Sequence, residues 1–395
     1  MTNQVLSGIR VLDFGRFIAA PWCGAILADM GADVIRVEKK TGGEDRFVQP
    51  VSETGDGATF LQCNRNKRSV TLDTMTDEGK AVLAELVKSA DVVLVNMPDA
   101  ALEANALDYA SVKAIKPDII FANAMGFGRG GPYSNRVAFD GIGQVMSGGV
   151  YRSGTPEQPM RSVVPYVDFG TALSLAIGIS MALYHREKTG KGQSVEAALL
   201  PVALMMTNGM VIDQAILNSN RGRVGNGGTA AAPCDLFQVK DGWVLVQIAS
   251  NPMFKRWCRL VGAEDWFEDP RFANDDVRAD HGKILNARMQ SWCADMTVNE
   301  MLDALEAARI PAGPLYSPQD VLDDPHVQAM GFLKDMDYPG LPRPAPVVET
   351  PFRMSETPSK LYRRAPTLGE HTDEVLGEIG LGSARLLELR EAGVI

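Results

Sequence analysis

From its start the chain alternates short apolar runs with segments of helical period. Ile9 to Phe14 is mostly apolar and ends near Gly15. Cys23 to Met30 has helical spacing and stops at Gly31, a residue suited to a helix C-terminus. Asp33 to Val37 is extended again. Thr76 is a good N-cap, and Val82, Leu83, Leu86 and Val87 beyond it share one helical face. Further strands are predicted at Ser69 to Leu72, Val92 to Val95 and Ile119 to Asn123. Continuous apolar strands separated by helices predict a parallel sheet covered on both faces, a Rossmann-like, doubly wound α/β core.

The pattern then changes. Gly126 to Gly154 is rich in glycine and polar residues, and loops after a parallel strand are where such sheets bind ligands. Val163 to Val167 reads as a strand, Asp168 to Gly170 as a turn, and Thr171 to Arg186 as a long buried helix stopped by TGKG at 189–192. Ser194 to Leu199 is extended. Leu236 to Val239 and Val244 to Ile248 flank Asp241-Gly242, a hairpin signal. Helical periods at Pro252 to Val261, Ile284 to Cys293 and Val298 to Ala308 complete a smaller α+β unit. The proline-rich stretch 338–351 reads as a linker, and Leu368 to Val394 as a charged helical tail able to dock back on the first domain.

Composition narrows the partners. Apolar residues make up 45% and charged residues 22%, as in ordinary globular proteins. A net charge of -10 argues against general binding to nucleic acid or anionic membrane. The five cysteines form no CxxC pair, and the N-terminus lacks a basic start followed by an apolar core, so a reducing cytoplasm is expected. No HExxH or other paired metal spacing and no GxSxG elbow occurs. Neither GxGxxG after the first strand nor GxxxxGK[ST] is present, which speaks against a nicotinamide-dependent oxidoreductase or a nucleoside-triphosphate site.

Three features carry candidate chemistry. Asp168 stands at a helix start, where free N–H groups and the positive pole of the dipole keep a carboxylate ionised and able to attack an acyl group. The alternative is that Asp168 only caps its helix. Gly225, Gly227 and Gly228 can bring backbone N–H groups to an oxyanion, or can simply link two domains. The cluster Asn64-Arg65-Asn66-Lys67-Arg68, with Lys39 and Lys40, can hold phosphates or form a solvated surface patch.

Taken together these residues resemble the class III CoA-transferase family, which includes formyl-CoA transferase, carnitine CoA-transferase and the α-methylacyl-CoA racemases. The resemblance runs through GIRVLDF at 8–14, AAP at 19–21, LADMGADVIRVE at 27–38 and NRNKRSVTLD at 64–73. It continues through GFGRGGPY at 126–133, AFDGIGQVMSGG at 138–149 and the segment 167–193, then RIPAGPLYSPQDVLDDPHV at 309–327 and PTLGEHTDEVL at 366–376. It implies an acyl-CoA:carboxylate CoA-transferase with Asp168 as nucleophile, forming an aspartyl-CoA thioester. It implies a coenzyme A site at Lys39, Asn66, Lys67, Arg68 and Asn96, with Phe17, Ala19 and Asp140, and a closing glycine loop at Gly227 and Gly228. No tightly bound cofactor is implied; coenzyme A and its acyl esters are substrates. The implied layout is a Rossmann-like large domain of 1–200 plus 345–395, linkers at 201–224 and 326–344, a small α+β domain at 225–325, and an interlocked homodimer.

Departures from the family pattern discriminate among its branches. The racemases carry His-Asp where this chain has Phe139-Asp140, and a Glu where Asn251 aligns. Moving a proton at the α-carbon needs bases on both faces, which phenylalanine cannot supply. A family phosphate-binding Arg is replaced by Ala104, and the glycine loop is diluted to GNGGTAAAP at 225–233.

Overall fold

A computed structural model describes residues 4–228 and 230–395; Met1 to Asn3, and Thr229 of the predicted glycine loop, lie outside them. Six short strands form one parallel sheet: β1 (Arg10–Asp13), β2 (Asp33–Glu38), β3 (Arg68–Thr71), β4 (Val92–Val95), β5 (Ile120–Met125) and β6 (Ser194–Ala198). Their order is β3-β2-β1-β4-β5-β6. Successive side chains on a strand point to opposite faces, so an all-apolar strand feeds two cores. Leu12, Ile35, Val70, Val93 and Phe121 pack on one face with Val82, Leu86, Val375 and Leu389. Val11, Val34, Val92, Leu94 and Ile120 pack on the other with helices Ala19–Asp29 and Tyr166–Thr189. The tail forms helices Thr372–Glu378 and Ser383–Glu391, docked on the first of these cores as expected.

The chain divides into two compact units. The first comprises Met1–Ser147, Ser162–Ile212 and Ala329–Ile395; the second comprises Gly148–Arg161 and Asp213–Gln328. The second unit holds an antiparallel sheet of β7 (Cys234–Val239), β8 (Gly242–Gln247) and β9 (Ala312–Pro314). Val239 pairs with Gly242, so the hairpin turns on Lys240-Asp241, one residue earlier than the expected Asp241-Gly242. Trp257, Leu285, Met289, Met301 and Leu305 fill its core.

Several expectations need correction. Val163 to Val167 is not a strand: Val163 is 87% exposed, and the helix begins at Tyr166. That helix buries one face only, leaving Leu173, Ile177, Met181 and Tyr184 exposed. Residues 201–224, taken as a linker, are largely the helix Leu199–Leu217. The proline-rich stretch contains a strand, Ala345–Val348, paired with Leu333–Met336. The segment 126–154 includes helices Asp140–Met146 and Gly149–Arg152.

Candidate active site

All six strands run the same way, so their carboxyl ends share one edge. The strand order reverses between β1 and β4, and the segments leaving these two strands diverge and open a crevice. A cavity of about 420 Å³ lies there, walled by Arg16 to Ala19 after β1, Asn96 to Ala100 after β4, Ser134 to Phe139, and Asp168. Its size suits a small organic ligand. Phe17, Ala19, Asn96 and Asp168 therefore meet around one space, although they come from three separate segments.

Phe17 has a φ of 62°, a left-handed backbone rarely adopted outside glycine. Asn96 braces the turn at both ends of its amide. It accepts from the Arg16 N–H at 2.9 Å and donates to the Arg16 carbonyl at 2.7 Å. The Phe17 ring then meets Phe139 edge-on, with centroids 5.5 Å apart. An apolar aromatic wall thus stands where a racemase would place histidine.

Asp168 lies in the first turn of Tyr166–Thr189, behind Pro165, which has no side chain able to cap. The cap comes from elsewhere. Asp140 Oδ2 accepts the N–H groups of Val167 at 2.7 Å and Asp168 at 3.1 Å. The Gln144 amide donates to the other Asp140 oxygen. This corrects two readings: Asp140 serves the helix start rather than a coenzyme site, and Asp168 does not cap its own helix. Burial, with the negative charge of Asp140 added, pushes the Asp168 carboxyl up to about 7. The expectation that a helix start keeps it ionised fails because Asp140 already occupies the N–H groups and faces the positive pole.

Cations gather at the cavity. Arg16 lines it and pairs with Glu44, which also binds the half-exposed Lys39 at 2.5 Å. The hydrogen bond from Lys39 leads the interactions that pull Glu44 down to about 2. Arg136 also lines the cavity, 4.0 Å over the Tyr133 ring, and no ion pair holds it among the described residues. Sequence reading missed Arg136; its only signal was a place inside the glycine-rich segment taken as a ligand loop.

The basic cluster does something else. Lys67 is fully buried and donates to Asp13 at 2.6 Å, the Pro21 carbonyl at 2.7 Å and Asn64 at 3.0 Å. Burial pulls its ammonium below the usual range, opposed by Asp13. Arg68 bridges Asp33, Glu374 and Glu378. Asn66 binds Asp29 and the backbone of Lys360, Tyr362 and Arg363. None of the three is free for phosphate; each already has protein partners. Gly24 makes room for this network, since a Cβ there would lie 3.0 Å from Asp13 Oδ2 and 3.2 Å from Lys67 Nζ.

The glycine loop belongs to the second unit. Gly225, Gly227 and Gly228 donate their N–H groups to the carbonyls of Gly154, Val224 and Cys234 at 2.9, 3.1 and 2.9 Å. In this conformation Gly227 and Gly228 have no N–H left for an oxyanion, contrary to expectation. Asn251 is likewise engaged locally, with Arg278 at 2.9 Å and the Ala273 carbonyl at 3.1 Å.

A doubly wound α/β protein with a carboxylate in its switch-point cavity fits enzymes that handle acyl groups on a nucleotide-like carrier. The chain belongs to CoA-transferase family III, which matches residues 6–372. The succinate–glutarate CoA-transferase of Agrobacterium fabrum is 35% identical over 382 residues, covering 95% of each chain. The succinyl-CoA–L-malate CoA-transferase beta subunit of Chloroflexus aurantiacus is 35% identical over 403 residues, covering 100% of this chain and 99% of that one. The crystal structure of a CaiB/BaiF family protein from Brucella suis superposes with a TM-score of 0.84 at 33% identity, covering 95% of this chain and 100% of that one.

Proposed function

We propose that this protein transfers coenzyme A between an acyl-CoA and a carboxylic acid through covalent intermediates on Asp168. A carboxylate oxygen of Asp168 attacks the thioester carbon, and the C–S bond breaks. Coenzyme A leaves as thiolate, and an acyl-aspartyl anhydride remains. The thiolate then attacks the aspartyl carbonyl carbon, releasing the first acid as carboxylate and forming an aspartyl-CoA thioester. The acceptor carboxylate attacks that thioester, and the same two steps in reverse yield the new acyl-CoA and free Asp168. One thioester is exchanged for another, so the balance requires neither ATP nor a redox partner.

The observation that carries this reading is a half-buried carboxylate lining the switch-point cavity with no cation or donor on it among the described residues. Arg16 and Arg136 on the same wall suit anionic ligands, including a second carboxylate of a dicarboxylic acyl group. The succinate, glutarate and malate in the relatives' names favour that class. Phe139 offers no base for α-proton exchange, so racemisation is not favoured. The exposed row Leu173, Ile177, Met181 and Tyr184 supports a homodimer, because a contiguous apolar face of this kind is rare on monomers.

Incubation with succinyl-CoA followed by denaturation and mass spectrometry should find a coenzyme A adduct on the Asp168 peptide. Asp168→Asn should show neither adduct nor turnover; substantial turnover by that variant overturns the mechanism.

A further inference from the structure

The helix carrying Asp168 is gripped at its start by a second, shorter helix. Asp140 takes its first free N–H groups across 27 and 28 residues of sequence. Gln144, 1% exposed, holds Asp140 from behind and accepts the Ser162 N–H at 2.9 Å. Gly143 lets the two helices close, since a Cβ there would lie 2.9 Å from Val167 Cγ1. A helix start ordinarily stabilises a carboxylate in its first turn through free N–H groups and the dipole. Here a second carboxylate has taken that place, and its own charge faces the nucleophile.

We propose that Asp140, braced by Gln144, is a positioning residue for the nucleophile: it fixes the first turn and takes the donors that would otherwise hold the charge of Asp168. The inference rests on Asp168 being the nucleophile. Its chemical consequence concerns the leaving group. A thiol has an ordinary pKa near 8.5 and an aspartate near 3.9, so an ordinary aspartate is poorly matched to expelling a thiolate. Attack strengthens with the basicity of the attacking group, with a sensitivity of about 0.5 for thiol nucleophiles. On that scale two units of lost basicity cost about tenfold in rate. Other charged or titratable groups on the cavity wall are Arg16, Asp99 and Arg136, and Tyr166 shares the turn. Burial raises the Asp168 carboxyl most, and the negative charge of Asp140 raises it further.

The test is a carbon-13 titration of the aspartate carboxyls, with Asp168→Asn assigning the signal, alongside the pH profile of kcat/KM. Wild-type Asp168 should titrate near 7. Asp140→Asn should lower that midpoint by at least one unit and move the acidic limb of the profile equally. Its plateau kcat should fall about threefold per unit of that shift with KM little changed, and Asp140→Glu should return the midpoint toward wild type. Asp140→Ser, which removes the charge but keeps an acceptor, should shift the same way and serves if Asp140→Asn does not fold. A wild-type midpoint in the ordinary carboxylate range overturns the inference, as does an unmoved midpoint in these variants. Failure of the nucleophile reading is a separate result, because it requires Asp168→Asn to turn over.

Discussion

Two groups of charges lie near the carboxyl edge of the same sheet and behave oppositely. Below the edge of the sheet, each buried ion faces its opposite. Lys67 meets Asp13, Arg36 meets Glu38 and Asp45, and Arg46 meets Glu38 and Asp56. At the cavity above, the negative charge of Asp140 adds to burial in raising the Asp168 carboxyl, and Arg136 has no ion-pair partner among the described residues. The lower group makes a rigid floor for the β1 turn, where Asp13 also accepts the Gly15 N–H at 2.8 Å. The upper group stores unfavourable charge, which is how a side chain becomes reactive. Burial alone marks neither role; what distinguishes them is whether the opposite charge is present.

The largest contrast should come from Asp168→Asn. On the proposed mechanism this removes the nucleophile and lowers turnover on the order of 10⁶-fold, while folding should improve above neutrality. The folded carboxyl lies near 7, above its ordinary 3.8, so its ionisation opposes folding. That cost grows as pH rises from about 4 to 7 and persists beyond. Melting curves at pH 5 and 8 should therefore show the variant gaining on wild type by about 2 kcal/mol at the higher pH, after allowance for partial exposure. Lys67→Ala should do the reverse, losing about 3–5 kcal/mol in denaturant titration because Asp13 is left buried and unpaired. Its KM for acyl-CoA should hold; a rise would mean that Lys67 touches ligand and would erase the contrast.

Acid should separate the two groups next. Burial opposes ionisation of Glu38, but Arg36 and Arg46 outweigh it and pull the carboxyl to about 2. Its stabilising contribution is present above its ordinary 4.5 and is lost as pH falls from there toward 2. Urea midpoints should fall through that window, well below the limb at which activity is lost. Arg136→Ala should have the smallest effect. A tenfold rise in KM for the acyl-CoA, about 1.4 kcal/mol, is expected with kcat nearly unchanged and with weaker salt dependence of binding.

Much of the fold was readable because its signals are local. Continuous runs such as Val92 to Val95 announced a sheet covered on both sides, and Thr76 began a helix through its own side chain, which accepts the Gly79 N–H. The failures share a cause. Val163 to Val167 looked like a strand because the residue that starts the helix, Asp140, lies 28 residues from Asp168. Asn66, Lys67 and Arg68 looked like a phosphate site because their partners are 37, 54 and 310 residues away. A run of cations without nearby acids is ambiguous until the chain folds. Asp168 was legible by position, but its raised pKa was not, since that depends on who else reaches the same turn.

The docked tail carries a consequence for synthesis on the ribosome. Arg68 emerges early, yet Glu374 and Glu378 follow 306 and 310 residues later. At typical elongation speeds of about 5–20 residues per second that interval lasts roughly 15–60 s. Until then the β3 edge stands uncovered, and Val375, Leu376, Leu386 and Leu389 are not yet in place to seal it. A nascent chain stalled before residue 372 would expose that edge, making it a natural substrate for chaperones and proteases.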